Sequence, residues 1–334
     1  MTTIKDVAKL AGVSVTTVSR VFNNRGYLSD EVRRNVAAAM EELDYHPNDL
    51  ARSLHNQQSH IIGLIVPTVS HPFFGEVAHY VEGFAYKWSY KVLICNSLRD
   101  ADKEREYIAM LRRSQVDGII MGSHILDTKD YASMKCRVLS LDREISPQIP
   151  YICCDNYRGG ELAAEHLIGQ GCRDLLHISG SLTVPMLSNL RTEAFIAACG
   201  AAGIPCRCYE LPDTSIASFQ ENTVIRDILT ENPRADGVFC TSDISAATVL
   251  STAIGLGRRV PGDLKVLGFD GSFLSALTIP QLSSIRQPIE TICRYAVEYL
   301  IRMSQGELVP SKTILPVELV ARESTQAASH TLET

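Results

Sequence analysis

Apolar positions Ile4, Val7, Ala8 and Ala11 recur at helical spacing and mark one buried face of a short N-terminal helix. Gly12 frees the backbone for a tight turn, and Ser14 stands where it caps a second helix. That helix buries Val18 and Val21 and projects Val15, Thr16 and Arg20 outward. Small side chains followed by an arginine suit a helix whose N-terminal end enters a major groove, where Arg meets guanine and methyl groups meet thymine. A helical hairpin with no nucleic acid is the competing reading. From residue 60 the pattern changes to short apolar runs alternating with amphipathic stretches. Strands are predicted at 61–66, 91–96, 118–122, 137–141 and 151–155, with helices at 74–89, 102–114 and 127–134 between them. A second cycle follows: helix 160–170, strand 175–179, helix 192–202, strand 208–211, helix 215–230, strand 237–240, helix 245–255 and strand 265–269. Such alternation implies parallel sheets wound on both faces, and two in succession imply a two-lobed α/β body with a cleft.

Between the two patterns lies Tyr45–His55. It is too short for an independently stable helix, yet Asn48 can cap it and Leu50 and Leu54 fall four residues apart. Leu50 can pack against a symmetry-related copy, and Leu54 has the size of a minor-groove wedge that unstacks a base step. An ordinary interdomain linker with incidental leucines is the alternative.

The 334 residues exceed what one core usually holds. No apolar run reaches the roughly 20 residues that span a bilayer, and the N-terminus lacks the form of a signal peptide, so a cytoplasmic, nucleoid-associated protein is expected. The ten cysteines show no zinc spacing and mostly sit in strand-like runs. Free thiols are expected, with neither metal nor cofactor. A net charge of −6 is unusual for a chain that grips phosphates. Residues 1–27 carry Lys5, Lys9, Arg20 and Arg25 against Asp6, whereas residues 28–60 carry six acids against three arginines. That balance argues for placed contacts rather than a general basic patch.

The phrases I-K-D-V-A-K-L-A-G-V-S, T-V-S-R-V, N-D-L-A-R-S-L, I-G-L-I-V-P, V-D-G-I-I, G-F-D and I-R-Q-P-I resemble the LacI/GalR family of bacterial transcriptional regulators from residue 2 to about 325. Within it the chain is most similar to sucrose-operon repressors, through G-Y-L-S, L-D-R and R-Q-P-I. The resemblance implies an all-α helix-turn-helix headpiece (1–46), a hinge (47–59) and a periplasmic-binding-protein-like body crossed three times by the chain. The first lobe is then 60–158 with 288–318, the second 159–287 with 319–328, and 329–334 a disordered tail. The implied activity is that of a dimeric repressor of a carbohydrate-utilisation operon, bound to a palindromic operator and released by a sugar. A global catabolite-type regulator, using a phosphorylated carrier protein or a sugar phosphate as corepressor, is the alternative. Candidate DNA contacts are Thr3, Ser14, Val15, Thr16, Thr17, Ser19, Arg20 and Asn23 in the headpiece, with Leu50, Ala51 and Leu54 in the hinge.

Ligands of open parallel sheets bind beyond the carboxyl ends of the strands. That rule, with the resemblance, selects Phe73, Asp142, Arg143, Arg191, Asp270 and Gln287 as effector contacts. Phe73 is expected in the cleft and Phe74 half-buried. Ser242 and Asp243 can be either contacts or helix caps. Where the family usually has Arg-x-x-Gly-Phe, this chain has Ala194, whose methyl is expected to narrow the cleft or shift its helix. Arg143 stands where a flat wall would suit a purine better. Three aspartates might suggest glycoside hydrolysis. No phosphate-cradling, metal-binding or nucleophile-turn motif accompanies them, and His71, His124, His166 and His177 read as surface or packing residues. No catalysis is expected.

Overall fold

The computed structural model describes residues 2–22, 26–45, 58–132, 136–211 and 221–326. The chain divides into two units, Met1–Ser59 and His60–Thr334.

In the first unit α1 (Ile4–Leu10), α2 (Val15–Phe22) and α3 (Asp30–Glu42) close around Val7, Ala8, Val18, Val36 and Ala39. Ile4, Ala11 and Val21 pack at the margin of this core, partly buried. Gly12 takes φ +68° at the turn, a conformation that costs glycine nothing. Ser14 Oγ accepts the Thr17 N–H at 3.1 Å and starts α2. The Asp6 carboxylate accepts both the N–H and the hydroxyl of Thr3, at 2.8 and 2.7 Å, which fastens the entry to α1.

The second unit holds two six-stranded sheets. β1 (Ile61–Val66), β2 (Lys91–Asn96), β3 (Gly118–Met121), β4 (Val138–Leu141), β5 (Tyr151–Cys154) and β11 (Lys312–Leu315) form the first, in the order β11-β5-β4-β3-β1-β2. All its pairings are parallel. One face packs on α4 (Pro72–Lys87) and α12 (Ile289–Ser304), the other on α5 (Ala101–Arg113) and α6 (Thr128–Ala132). Coverage on both faces explains why β1 reads as a nearly unbroken apolar run.

β6 (Leu175–Ser179), β7 (Cys206–Glu210), β8 (Gly237–Cys240), β9 (Lys265–Asp270), β10 (Ser283–Arg286) and β12 (Glu318–Val320) form the second sheet, ordered β12-β10-β9-β8-β6-β7. Only β12 runs antiparallel to its neighbour. Its faces are covered by α7 (Asn156–Gly169) and α8 (Asn189–Ala201) on one side, and by α9 (Glu221–Glu231) and α10 (Asp243–Gly255) on the other. A short α11 (Leu274–Leu277) follows β9.

The chain passes between the lobes after β5, after β10 and between β11 and β12. The first crossing comes earlier than the expected boundary at 158, because Asp155 accepts the Arg158 N–H at 3.0 Å and caps α7, a second-lobe helix. Glu318 likewise belongs to the second sheet, paired with Arg286. The capping also moves α7 ahead of its expected start at 160. α8 begins at Asn189 rather than 192, and β7 spans Cys206–Glu210 rather than 208–211. The expected helices 127–134 and 215–230 appear as α6 and α9; residues 133–135 and 215–220 lie outside the described residues.

α7 and α8 are in intimate contact, since a Cβ on Gly160 would sit 2.2 Å from the Arg191 carbonyl oxygen and 2.9 Å from the Ala194 methyl. Ala194 therefore fills the α7–α8 seam and does not narrow the cleft. All ten cysteines are free, most of them buried. Among the described residues no helix is long and apolar enough to cross a membrane.

Candidate functional site

A cavity of about 350 Å³ opens between the carboxyl ends of the two sheets. From the first lobe Phe73 and Phe74 open α4 against it, their rings edge-to-face with centroids 5.0 Å apart. Both aromatics line the cavity, rather than Phe73 alone. Asp142 follows β4 and Asp270 ends β9, at φ +59° and +109°. Non-glycine residues hold such conformations only where their surroundings over-determine them.

The surroundings are a connected polar set. Gln287 donates its side-chain N–H to Asp270 Oδ1 at 2.8 Å and its backbone N–H to the Asp270 carbonyl at 3.0 Å. Arg191, in the first turn of α8, lies over the Phe269 ring at 3.6 Å. Its Nε donates to Asn156 Oδ1 at 2.6 Å, its Nη1 to the Thr241 carbonyl at 3.0 Å, and Nη1 stands 4.0 Å from Asp270 Oδ1. Asn156 in turn donates to Asp142 Oδ1 at 2.7 Å. Burial drives the Asp270 carboxyl well above the usual carboxylate range, and the Asp243 charge adds to this while Arg191 opposes it. Asp142 is pushed up by burial as well, again against the pull of Arg191.

Ser242 lines the cavity and caps α10, accepting the Ser245 N–H at 3.3 Å. Two sequence-selected residues are not brought to the cavity lining. Arg143 is buried and turned back on its own lobe, donating to the His124 and Leu126 carbonyls at 3.0 and 3.3 Å. Asp243 lies behind the wall, where Oδ2 accepts the Ser272 N–H and hydroxyl at 2.7 and 2.8 Å and Oδ1 accepts the Ser284 hydroxyl at 2.5 Å. Both residues finish the site's frame instead of its surface.

The cavity also recruits His71 and His124, which sequence reasoning assigned to surface or packing. His124 follows β3 at a carboxyl end, so the strand-end rule could have found it. Asn156 gave no such signal, because it starts a helix and becomes a site residue only through α7's approach to β4. His177 does pack, stacked on Phe239 at 5.0 Å, and His166 bonds Thr325 Oγ1 at 2.8 Å. Among the described residues no group of His, Cys, Asp or Glu could hold a metal ion.

In the headpiece, Ser14, Val15, Thr16 and Arg20 are exposed on one side of α2 and its cap, while Thr17 and Ser19 are half-buried. Thr3 is exposed at the start of α1. Asn23, Leu50, Ala51 and Leu54 lie outside the described residues.

A helix-turn-helix unit joined to a two-lobed body with a polar interlobe cavity defines a ligand-responsive DNA-binding regulator. Residues 3–48 match the bacterial regulatory proteins of the lacI family, and residues 164–325 match a periplasmic binding protein-like domain. The chain is 40% identical to a sucrose operon repressor of Streptococcus mutans, over 96% of this chain and 98% of that protein. It is 38% identical to a ribose operon repressor of Halalkalibacterium halodurans, over 99% of each. Among solved structures, a lac repressor dimer bound to operator and the anti-inducer ONPF superposes with a TM-score of 0.84 at 27% identity, covering 98% of this chain and 99% of that one. The chain belongs to the lacI family of bacterial regulatory proteins. It is a transcriptional repressor and not an enzyme.

Proposed function

We propose that the chain is a dimeric repressor of a carbohydrate-utilisation operon, released from a palindromic operator by a sugar of the sucrose or fructose type. One observation carries the sugar reading. Asp142, Arg191, Asp270 and Gln287, from both lobes, converge beside two aromatic rings in one small cavity. Sugar hydroxyls taken from water need paired, partly charged partners, and the apolar face of a sugar ring suits an aromatic wall. Relatives named for sucrose and ribose operons agree with this class of ligand.

Ser14, Val15, Thr16, Thr17, Ser19 and Arg20, with Thr3 and Asn23, read the major groove of each half-site; Leu50, Ala51 and Leu54 work in the minor groove between them. Dimerisation agrees with exposed apolar side chains on both lobes: Trp88, Leu93 and Ile94 on the first, Phe273, Leu277 and Ile279 on the second. Sugar occupancy alters how the lobes meet, and a coupling of about 1–3 kcal/mol changes operator affinity about 5- to 150-fold. The protein acts in the cytoplasm, at the chromosome.

The test is selection of a palindrome from a random duplex pool by the full chain. The selected duplex is then titrated with sucrose, fructose, ribose and their phosphates at fixed salt. Release by a free sugar is the expected result. A lack of preference for any palindrome overturns the reading, as does tightening by a sugar phosphate.

A further inference from the structure

The first sheet is parallel throughout, and the cavity uses only one of its two ends. The carboxyl ends of its strands face the cavity, so the amino ends lie at the far side of the lobe. Along that far side stand His60 before β1, Lys91 at the start of β2, Asp117 before β3 and Arg137 before β4. His60 is the first residue of the second unit, so the covalent link to the headpiece leaves the body there.

His60 is clasped by its neighbours. Its N–H donates to Asp117 Oδ2 at 3.1 Å and its carbonyl accepts the Lys91 N–H at 2.8 Å. Its ring lies 5.0 Å from that of Tyr90. A φ of +54° disfavours a residue with a Cβ, and these contacts hold it in place. Asp117 and Tyr90 are buried, and the Tyr90 hydroxyl bonds both Asp117 and Ser304. Arg137 completes the clasp: its Nη1 reaches the Asp117 carbonyl at 3.5 Å and its Nε donates to the Met303 carbonyl at 2.9 Å.

Met303 and Ser304 end α12. The same helix begins one residue after Gln287, which lines the cavity at the interlobe crossing and is bonded to Asp270 of the second lobe. Sixteen residues at a rise of about 1.5 Å each give a rod of about 24 Å from the cavity to the clasp. Ile292, Cys293, Ala296, Val297 and Leu300 bury it in the lobe's core. A Cβ on Gly118 would sit 2.8 Å from Leu300 Cδ2, so α12 lies close on β3. A helix packed this tightly shifts as a body. α4 also runs from the cavity to Tyr90, but both its ends belong to the first lobe. Only α12 starts where the chain arrives from the second lobe, so a relative movement of the lobes acts on its first turn.

We propose that α12 carries cavity occupancy to the headpiece link, and that Arg137 is the positioning residue that joins its far end to His60. The inference rests on the sugar-release reading and names the route by which release works.

The test compares the full wild-type chain with Arg137→Met, using the selected duplex with and without saturating sucrose, fructose or ribose. Arg137 is exposed, so the change opens no core. Sugar affinity, and operator affinity without sugar, are expected to stay within about two-fold of wild type. The release factor, the ratio of operator affinities without and with sugar, is expected to fall at least about three-fold. The operator's effect on sugar affinity must shrink by the same factor, a reciprocity that simple destabilisation does not produce. Arg137→Lys keeps one donor for Met303 and recovers part of the loss. Arg302→Met, beside Met303 but bonded to Glu307 and the Leu308 carbonyl, keeps the wild-type release factor. If the wild type is released and Arg137→Met is released as fully, only this inference falls. Equal loss in Arg302→Met overturns it as well. If no probe sugar alters operator binding by the wild type, the sugar reading falls and this inference with it.

Discussion

The Nε–H of Arg191 donates to Oδ1 of Asn156 at 2.6 Å, and the other end of that amide holds Asp142 at 2.7 Å. Asp142 belongs to the first lobe, while Arg191 and Asn156 stand on second-lobe helices. One side chain thus ties a carboxylate of one lobe to a guanidinium of the other. Hydrogen bonds to charged groups contribute about 1.5–3 kcal/mol each. Asn156→Ala is expected to weaken sugar binding by about 10- to 100-fold, because both charged groups lose their orientation. Calorimetry on the variant checks it, and unchanged affinity would remove Asn156 from the site.

Arg191 and Arg143 are both buried, yet only Arg191 lines the cavity. Arg191→Lys cannot reproduce the contact with the Phe269 ring together with the two donations to Asn156 and Thr241. Loss of the sugar response with operator binding intact is the expected outcome. Arg143→Lys should instead lower the melting temperature, since two carbonyls deep in the first lobe lose their donor. Its effect on sugar affinity should be the smaller of the two. The reverse ranking in paired melting and binding assays would contradict the geometry.

Asp243 is raised by burial to about 6 from the usual 3.8, while the hydroxyls of Ser284 and Ser272, the Ser272 N–H and the charge of Arg322 pull it the other way. Below about 6 the folded carboxyl takes up a proton before the unfolded one does. Its contribution to stability therefore grows as pH falls from about 6 toward 3.8. His177, brought down by burial to about 4 from 6.5, has the opposite sign: its contribution is lost as pH falls from 6.5 toward 4. Asp243→Asn removes only the first effect. The melting temperature of the variant relative to wild type should accordingly be highest above pH 6 and decline between pH 7.5 and 5. A difference that is flat with pH would show that Asp243 does not titrate in this window.

Ser14 Oγ satisfies one of the first free N–H groups of α2. Ser14→Ala is expected to cost the headpiece about 1 kcal/mol. Hydrogen exchange in α2 should speed up while exchange in the two sheets is unaffected. Faster exchange throughout the body would mean that the serine does more than cap its helix.

The headpiece and the alternation of the body are written in local pattern. Val7, Ala8 and Val18 recur at helical spacing around Gly12, and the runs 61–66 and 237–240 are apolar throughout because both faces of their sheets are covered. Strand ends were equally legible, so Phe73, Asp142, Arg191, Ser242, Asp270 and Gln287 could be selected and are found on one cavity wall or another. What sequence order cannot encode is the direction a side chain takes once two sheets face each other. Adjacent residues Asp142 and Arg143 part company because a positive φ at Asp142 turns its carboxylate to Asn156, while Arg143 satisfies carbonyls of its own lobe. Ser242 and Asp243 divide in the same way between wall and frame. Asn156 became a site residue only through packing, by the approach of α7 to β4. Periodicity is a property of neighbours along the chain, whereas burial and pairing of polar atoms are set by neighbours across it.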